Sequence, residues 1–260
     1  MEFTKIAFTS DFGYRDHYVA VVKATILRGI TRSVGFIDVS HDVGRQNIRR
    51  AAYVVGVAGK YLDEHTIHLV VVDPTVGTNR RIVVFIPHGH CVFVAPDNGV
   101  LTLAYEWFEG DVYYAKQTTN RVSKTFHARD VFAPLVAEIV EGRLSENVEP
   151  TSLNTVAKLD FPAYGQRDGG FHGCVLYTDV FGDVITNIPN GSLDAPIYKL
   201  VTKGGEFTVR QASSYSVGSD KELLLIEGSE GYYEVAVNRG SAASVLGVSE
   251  GDEVVMFGAH

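Results

Sequence analysis

The chain has 260 residues, 45% of them hydrophobic, enough to bury a substantial core as one large domain or two modest ones. Its 31 acids outweigh 23 Lys and Arg, and a net charge of −8 argues against a sequence-independent nucleic-acid binder, which needs basic surface to displace counterions. Two cysteines are too few for a disulfide framework, no apolar stretch approaches the ~18 residues of a membrane span, and the first residues lack a signal-peptide layout, so a soluble cytoplasmic protein is expected.

Lys5 to Thr9 reads as a strand ending in Ser10-Asp11-Phe12-Gly13, followed by a helix with Val19, Val22, Ile26 and Leu27 at helical spacing. Ser33 to Val39 is a second strand, again ending in polar residues: Asp38, Ser40, His41 and Asp42. Ile48 to Tyr61 reads as a helix, and Thr66 to Val72 as a buried strand delivering Asp73 to its carboxyl end, where open α/β sheets place their ligands. Ile82 to Ile86 and Cys91 to Ala95 form a strand pair that feeds Pro96-Asp97-Asn98-Gly99. A short helix over Gly99 to Trp107, a strand over Val112 to Ala115 and a helix over Val131 to Glu141 complete the half. Strand–helix alternation predicts an α/β domain over 1–160 with a largely parallel sheet.

Beyond a linker over Pro150 to Tyr164 the pattern changes. Gly169 to Tyr177, Val184 to Ile188, Tyr198 to Thr202, Phe207 to Ala212, Glu222 to Glu227, Tyr232 to Val237 and Glu253 to Phe257 are short β-like runs punctuated by Gly, Asn, Asp and Ser. Only Ala242 to Leu246 looks helical. Residues 161–260 therefore read as an all-β, barrel-like domain.

Five loops at strand ends of the first half carry acids or histidines: Asp11 with Asp16, His41 with Asp42, Asp73 with Arg80, Asp97 with Asn98, and His127 with Arg129 and Asp130. Taken singly, each is a capping or turn residue. Together on one sheet rim they predict an active site. Clustered Asp, His and Asn would suit a dinuclear metallohydrolase, but Arg80 and Arg129 lie beside the acids that would hold the cations, and no metal-ligand spacing appears. No glycine-rich nucleotide fingerprint follows the first strand, and no serine sits on a nucleophile elbow. An Asp–Arg–His set suits orienting and deprotonating water, with Arg80 favouring ionised Asp73 and His127 able to accept or relay a proton. Free hydroxide at pH 7 costs on the order of 12 kcal/mol, so the proton must leave as attack proceeds on a substrate with a good leaving group.

Thr9-Ser10-Asp11-Phe12-Gly13 with Asp16, Asp38-Val39-Ser40-His41, Val72-Asp73-Pro74-Thr75-Val76-Gly77-Thr78-Asn79-Arg80-Arg81, Ala95-Pro96-Asp97-Asn98-Gly99 and Thr125-Phe126-His127-Ala128-Arg129-Asp130 follow one another in order. With Tyr177 to Ile188, Gly228-Ser229 and Glu234 to Ala243, they resemble the S-adenosyl-L-methionine hydroxide adenosyltransferases, relatives of the fluorinases and chlorinases. The resemblance covers nearly the whole chain. It implies an α/β domain followed by a β-barrel, a homotrimer with sites between subunits, and hydrolysis of S-adenosyl-L-methionine to adenosine and methionine by water attacking the ribose 5′ carbon. No cofactor and no metal are implied.

By the same resemblance Asp73, Arg80 and His127 handle the water, and Asp11 grips the ribose hydroxyls. Asp179 and Ser229 hold the methionine end, Phe181 lies near the substrate, and Asp183 and Asn238 lie at the adenosine site. A halide-using relative and a non-catalytic S-adenosylmethionine or adenosine sensor are the alternatives. A carboxylate at Asp73 disfavours a halide nucleophile. Thr75, Ala128 and Asp183 depart from the family's usual Gly, Gly and Asn, and a Thr75 with positive φ would be strained. His65, His68, His88, His90 and His172 are read as surface or strand-edge residues, Trp107 and Tyr113-Tyr114 as core or subunit contacts.

Overall fold

The computed structural model describes residues 2–89, 91–116 and 122–259. They form two compact units, one running to Leu159 and one from Asp160. The first contains β1 (Lys5–Ser10), α1 (Tyr18–Gly29), β2 (Gly35–Ser40), α2 (Ile48–Tyr61), β3 (Thr66–Val71), β4 (Ile82–Pro87), β5 (Val92–Pro96), α3 (Thr102–Trp107), β6 (Gly110–Ala115), α4 (Ala133–Val140), α5 (Leu144–Asn147) and β7 (Val148–Pro150). A single π-helical turn, Ala128–Phe132, leads directly into α4.

The sheet order is β2-β1-β3-β5-β4-β6-β7. The first four strands pair in parallel, as the strand–helix alternation implies, and β4, β6 and β7 extend the sheet antiparallel, so it is mixed. The period-2 geometry of a strand explains the layers. In β3, Ile67, Leu69 and Val71 join the core packed under α1 and α4, whereas Val70 and the following Val72 join the core under α2 and α3. Burying each such side chain contributes roughly 1.5–3 kcal/mol, and β3 is buried along its whole length. Helix α2 starts where Asn47 accepts a hydrogen bond from the Arg50 N–H at 3.0 Å.

One histidine departs from its expected place. His68 was to lie at a surface or strand edge, yet β3 is flanked on both sides, by β1 and β5, and the imidazole is fully buried. It stacks on Phe93 at 4.6 Å, and neither ring nitrogen has a hydrogen-bond partner. That burial pulls its pKa down to about 3. His65 and His88 are exposed and His172 is half-buried, while His90 lies outside the described residues. The first part of the stretch read as a linker is tied down: Ala157 N–H donates to Asp97 Oδ1 and Leu159 N–H to Thr102 Oγ1, both at 2.8 Å.

The second unit contains β8 (Gly165–Arg167), β9 (Gly170–Thr178), β10 (Val184–Pro189), β11 (Ile197–Thr202), β12 (Gly205–Ala212), β13 (Leu223–Glu227), β14 (Tyr232–Val237), α6 (Ala242–Leu246) and β15 (Glu253–Gly258). Strands run β10-β14-β13-β12-β11-β15-β9, and β9 pairs back onto β10, closing a seven-stranded barrel with β8 appended. All its pairings are antiparallel except β12 with β13. Closure leaves no open edge in the ring, and Tyr198, Leu200, Val235 and Met256 are among the residues filling the interior.

Candidate active site

The chain leaves β3 at Val71, and Asp73 opens a tight turn in which Val76 N–H donates to the Asp73 carbonyl at 3.3 Å. Arg80 closes the loop on the acid. Its Nε lies 2.8 Å from Asp73 Oδ2, its Nη2 contacts the same oxygen, and both side chains are more than nine-tenths buried. Nη2 also lies 3.2 Å from His127 Nδ1, and the guanidinium rests 5.2 Å from the Phe132 ring centre. Gly77 permits this convergence. Its φ is +84°, and a Cβ there would lie 2.3 Å from the Lys124 carbonyl oxygen, so only glycine lets the Arg80 loop approach the chain leading to His127.

Hydrogen-bond chemistry sets the His127 tautomer. Arginine has donors only, so Nδ1 facing Arg80 must be an acceptor, and the neutral ring carries its proton on Nε2. The ring is kept neutral, since burial and then the Arg80 charge hold its pKa below the ordinary histidine value. On Asp73, Arg80 occupies Oδ2, and the Thr75 hydroxyl donates to Oδ1 at 3.1 Å. Oδ1 retains acceptor capacity. Thr75 has no strained backbone: among described non-glycine residues, positive φ occurs at Gln46, Asp168, Lys221 and Arg239.

Asp11, Asp73 and His127 border one cavity of about 70 Å³ together with Phe12, Val76 and Phe126, enough for a water with polar partners. Asp11 Oδ2 accepts the Gln46 N–H at 2.8 Å. The other acid-bearing loops do different work. Asn98 donates to the Val72 carbonyl at 2.9 Å, and Asp97 anchors the segment after β7. Asp130 pairs with Arg129 and accepts the Ser123 N–H. His41 turns inward and is fully buried.

In the second unit, Asp179, Phe181, Asp183 and Asn238 line a concavity of about 640 Å³ with Tyr215 and Arg239. Asp179 Oδ1 organises the β9–β10 turn by accepting the Phe181 and Asp183 N–H groups, both at 2.9 Å. Gly182 in that turn has φ +88°, with Ser241 packed where a Cβ would be. Asp183 is 8% exposed, and burial, then Asp179 and Glu234, push its acid up to about 6. The Asn238 amide donates to the Gly218 carbonyl at 2.9 Å. Ser229 lies apart from this lining, in the turn between β13 and β14, whereas Asn238 follows the far end of β14. Tyr215, whose hydroxyl donates to Glu234, was not singled out in the sequence; it sits in a serine-rich segment that reads as a plain loop.

Among the described residues, no group of three or more His, Cys, Asp or Glu is placed to hold a metal ion, and no helix is long and apolar enough to cross a membrane. Residues 6–149 match the model of the SAM hydroxide adenosyltransferase N-terminal domain, and residues 173–255 that of its C-terminal domain. The chain is 37% identical over 258 residues to an (R)-S-adenosyl-L-methionine hydrolase of Thermus thermophilus, covering 95% of this chain and 96% of the relative. A protein of the same name from Salinispora tropica is 37% identical over 256 residues, covering 96% of each. A crystal structure of an uncharacterized conserved protein from Thermotoga maritima superposes with a TM-score of 0.85 at 35% identity, covering 97% of this chain and 99% of that one.

Proposed function

The chain belongs to the SAM hydroxide adenosyltransferase family, and from that membership we propose that it hydrolyses S-adenosyl-L-methionine to adenosine and L-methionine, with Asp73, Arg80 and His127 handling the water. The observation that carries this division of labour is the double engagement of Arg80. It holds Asp73 through Oδ2 and His127 through Nδ1, which leaves Asp73 Oδ1 as an acceptor and His127 Nε2–H as a donor. A water between them would give its proton to Asp73 and take a hydrogen bond from His127. The carboxylate is thus the base and the imidazole the orienting group.

As the water oxygen bonds to the ribose 5′ carbon, its proton passes to Asp73 Oδ1. The carbon–sulfur pair leaves with sulfur, converting the sulfonium into the neutral thioether of methionine, and Asp73 then returns the proton to solvent. Concerted transfer avoids the ~12 kcal/mol needed to make free hydroxide at pH 7. The same carboxylate would repel a halide, which supports water over halide as nucleophile.

Asp11 is assigned to the ribose hydroxyls. Asp179 and Ser229 are assigned to the methionine end, Phe181 to contact with the substrate, and Asp183 and Asn238 to adenosine. The proposal includes a homotrimer; Val180 and Phe181, 89% and 76% exposed, are the apolar side chains such an assembly would cover. Light scattering coupled to size exclusion tests the trimer.

The reaction is tested by incubating the protein with S-adenosyl-L-methionine in ¹⁸O water. Adenosine labelled at the 5′ oxygen is expected, and it should vanish in Asp73→Asn. Saturable binding of intact substrate with no adenosine formed would overturn the hydrolase and favour a sensor.

A further inference from the structure

Beneath the Asp11 loop lies a Ser–His–Asp chain, buried at Ser10 and His41 and partly exposed at Asp38, that the proposed reaction does not use. Ser10 Oγ, at the end of β1, is 2.7 Å from His41 Nδ1, and His41 Nε2 is 3.1 Å from Asp38 Oδ1. Lys23 Nζ donates to Asp38 at 2.7 Å. We propose that this chain is a positioning relay that fixes Asp11 against the ribose end of the substrate, and not a nucleophilic triad. The proposal rests on the assignment of Asp11 to the ribose hydroxyls.

Burial removes the nucleophile reading. Ser10 is 0% exposed and the His41 side chain likewise, so neither meets a substrate. The direction of each hydrogen bond follows from its neighbours. Although burial works the other way, bonds from Lys23 and His41 hold Asp38 below its ordinary value, so it is an acceptor-only carboxylate. His41 Nε2 therefore carries the proton. Burial holds the ring neutral against the pull of Asp38, which makes Nδ1 an acceptor and Ser10 the donor to it. The Ser10 oxygen is then free to accept the Phe12 N–H at 3.4 Å.

The second anchor is on the backbone. Gly13 N–H donates to the His41 carbonyl at 2.7 Å, so the turn is pinned to His41 at Ser10 on one side and at Gly13 on the other. Asp11 is bracketed between the two pins. Phe8 and Tyr14 hold the imidazole edge-on, with ring centres 4.7 and 5.0 Å away. With Ser10 and His41 buried, a directional chain of this kind is costly to leave half-satisfied, which favours the arrangement of the turn that satisfies it. Its consequence for function is orientation of the Asp11 carboxylate without contact with the substrate.

The test measures binding of adenosine and of 2′,3′-dideoxyadenosine to the full-length protein by calorimetry. Ser10→Ala is expected to weaken adenosine about tenfold, the size of one lost hydrogen bond, and to leave the dideoxynucleoside within about twofold. In an Asp11→Asn background, Ser10→Ala should add nothing. Asp38→Asn, at the partly exposed end of the chain, should shift binding in the same direction and serves if Ser10→Ala is too unstable to purify. Equal weakening of both nucleosides, or of neither, overturns the relay alone. An Asp11→Asn protein that discriminates the two nucleosides as the wild type does overturns the Asp11 assignment and the relay with it.

Discussion

His68 offers a direct check on the electrostatics of the first unit. The imidazole is fully buried in β3 without a hydrogen-bond partner, and its pKa falls to about 3. In the unfolded chain it titrates near 6.5, so between those values the unfolded state binds a proton that the native state refuses. Stability contributed by the neutral ring is therefore complete above pH 6.5 and lost as pH falls toward 3, at about 1.4 kcal/mol per pH unit. From pH 7 to pH 5 the loss is about 2 kcal/mol, and by pH 4 about 3 kcal/mol. His68→Leu has nearly the same volume and removes both the titration and the two unpaired nitrogens. Urea unfolding followed through Trp107, the single tryptophan and a residue of this unit, measures the difference. The variant should gain on the wild type by about 2 kcal/mol more at pH 5 than at pH 7, whatever its packing does at either pH. A stability difference that is the same at both pH values would refute a neutral, desolvated His68.

Three further outcomes follow from the site. His127 must be neutral to accept from Arg80, and its pKa lies below the ordinary histidine value, so kcat should hold down to pH 6.5 and fall only below it. His127→Gln should lose that acid limb; a limb unchanged in the variant assigns it elsewhere. Gly77→Ala places a methyl against the Lys124 carbonyl at positive φ and should cut kcat by about 10²-fold or more through separation of Arg80 from His127, read by steady-state kinetics. Retention of wild-type kcat would show that the loops need no such approach. Asp183, with its acid pushed up to about 6, changes from donor and acceptor to acceptor only as pH rises through that value. Adenosine affinity should therefore change between pH 5 and 7.5 in the wild type and stay flat in Asp183→Asn, and parallel profiles would remove Asp183 from the binding site.

Much of the architecture is legible along the chain because it depends on near neighbours. The apolar run of β3, the helical spacing of α1 and α2 and the seven β-like runs of the second half each correspond to an element of the structure. Asp73, Arg80 and His127 stand out because acids and histidines recur where apolar runs stop. Local pattern expresses the pairing of neighbours such as β4 with β5, but not which strands far apart in the chain pair. The antiparallel pairing of β4 with β6 and of β6 with β7, and the pairing of β9 with β15 and of β10 with β14 that completes the barrel, depend on contacts between segments far apart in the chain. The π-helical turn at Ala128–Phe132 is likewise invisible in the sequence, where the helix is expected to start only at Val131 and Ala128 to Asp130 read as loop.

The same division runs through the chemistry. Residue types and their order along the chain were enough to identify an Asp–Arg–His set and the family it resembles. The proposal that the acid takes the proton rests on the Arg80 guanidinium facing His127 Nδ1, a contact absent from the order of residues, because a tautomer is decided by the partner across the fold. The placing of His68 in a central strand, and the joining of Ser10, His41 and Asp38 beneath Asp11, were decided in the same way. Composition and periodicity are set by neighbours a few residues apart; hydrogen-bond direction and desolvation are set by whatever the tertiary structure brings within about 3 Å.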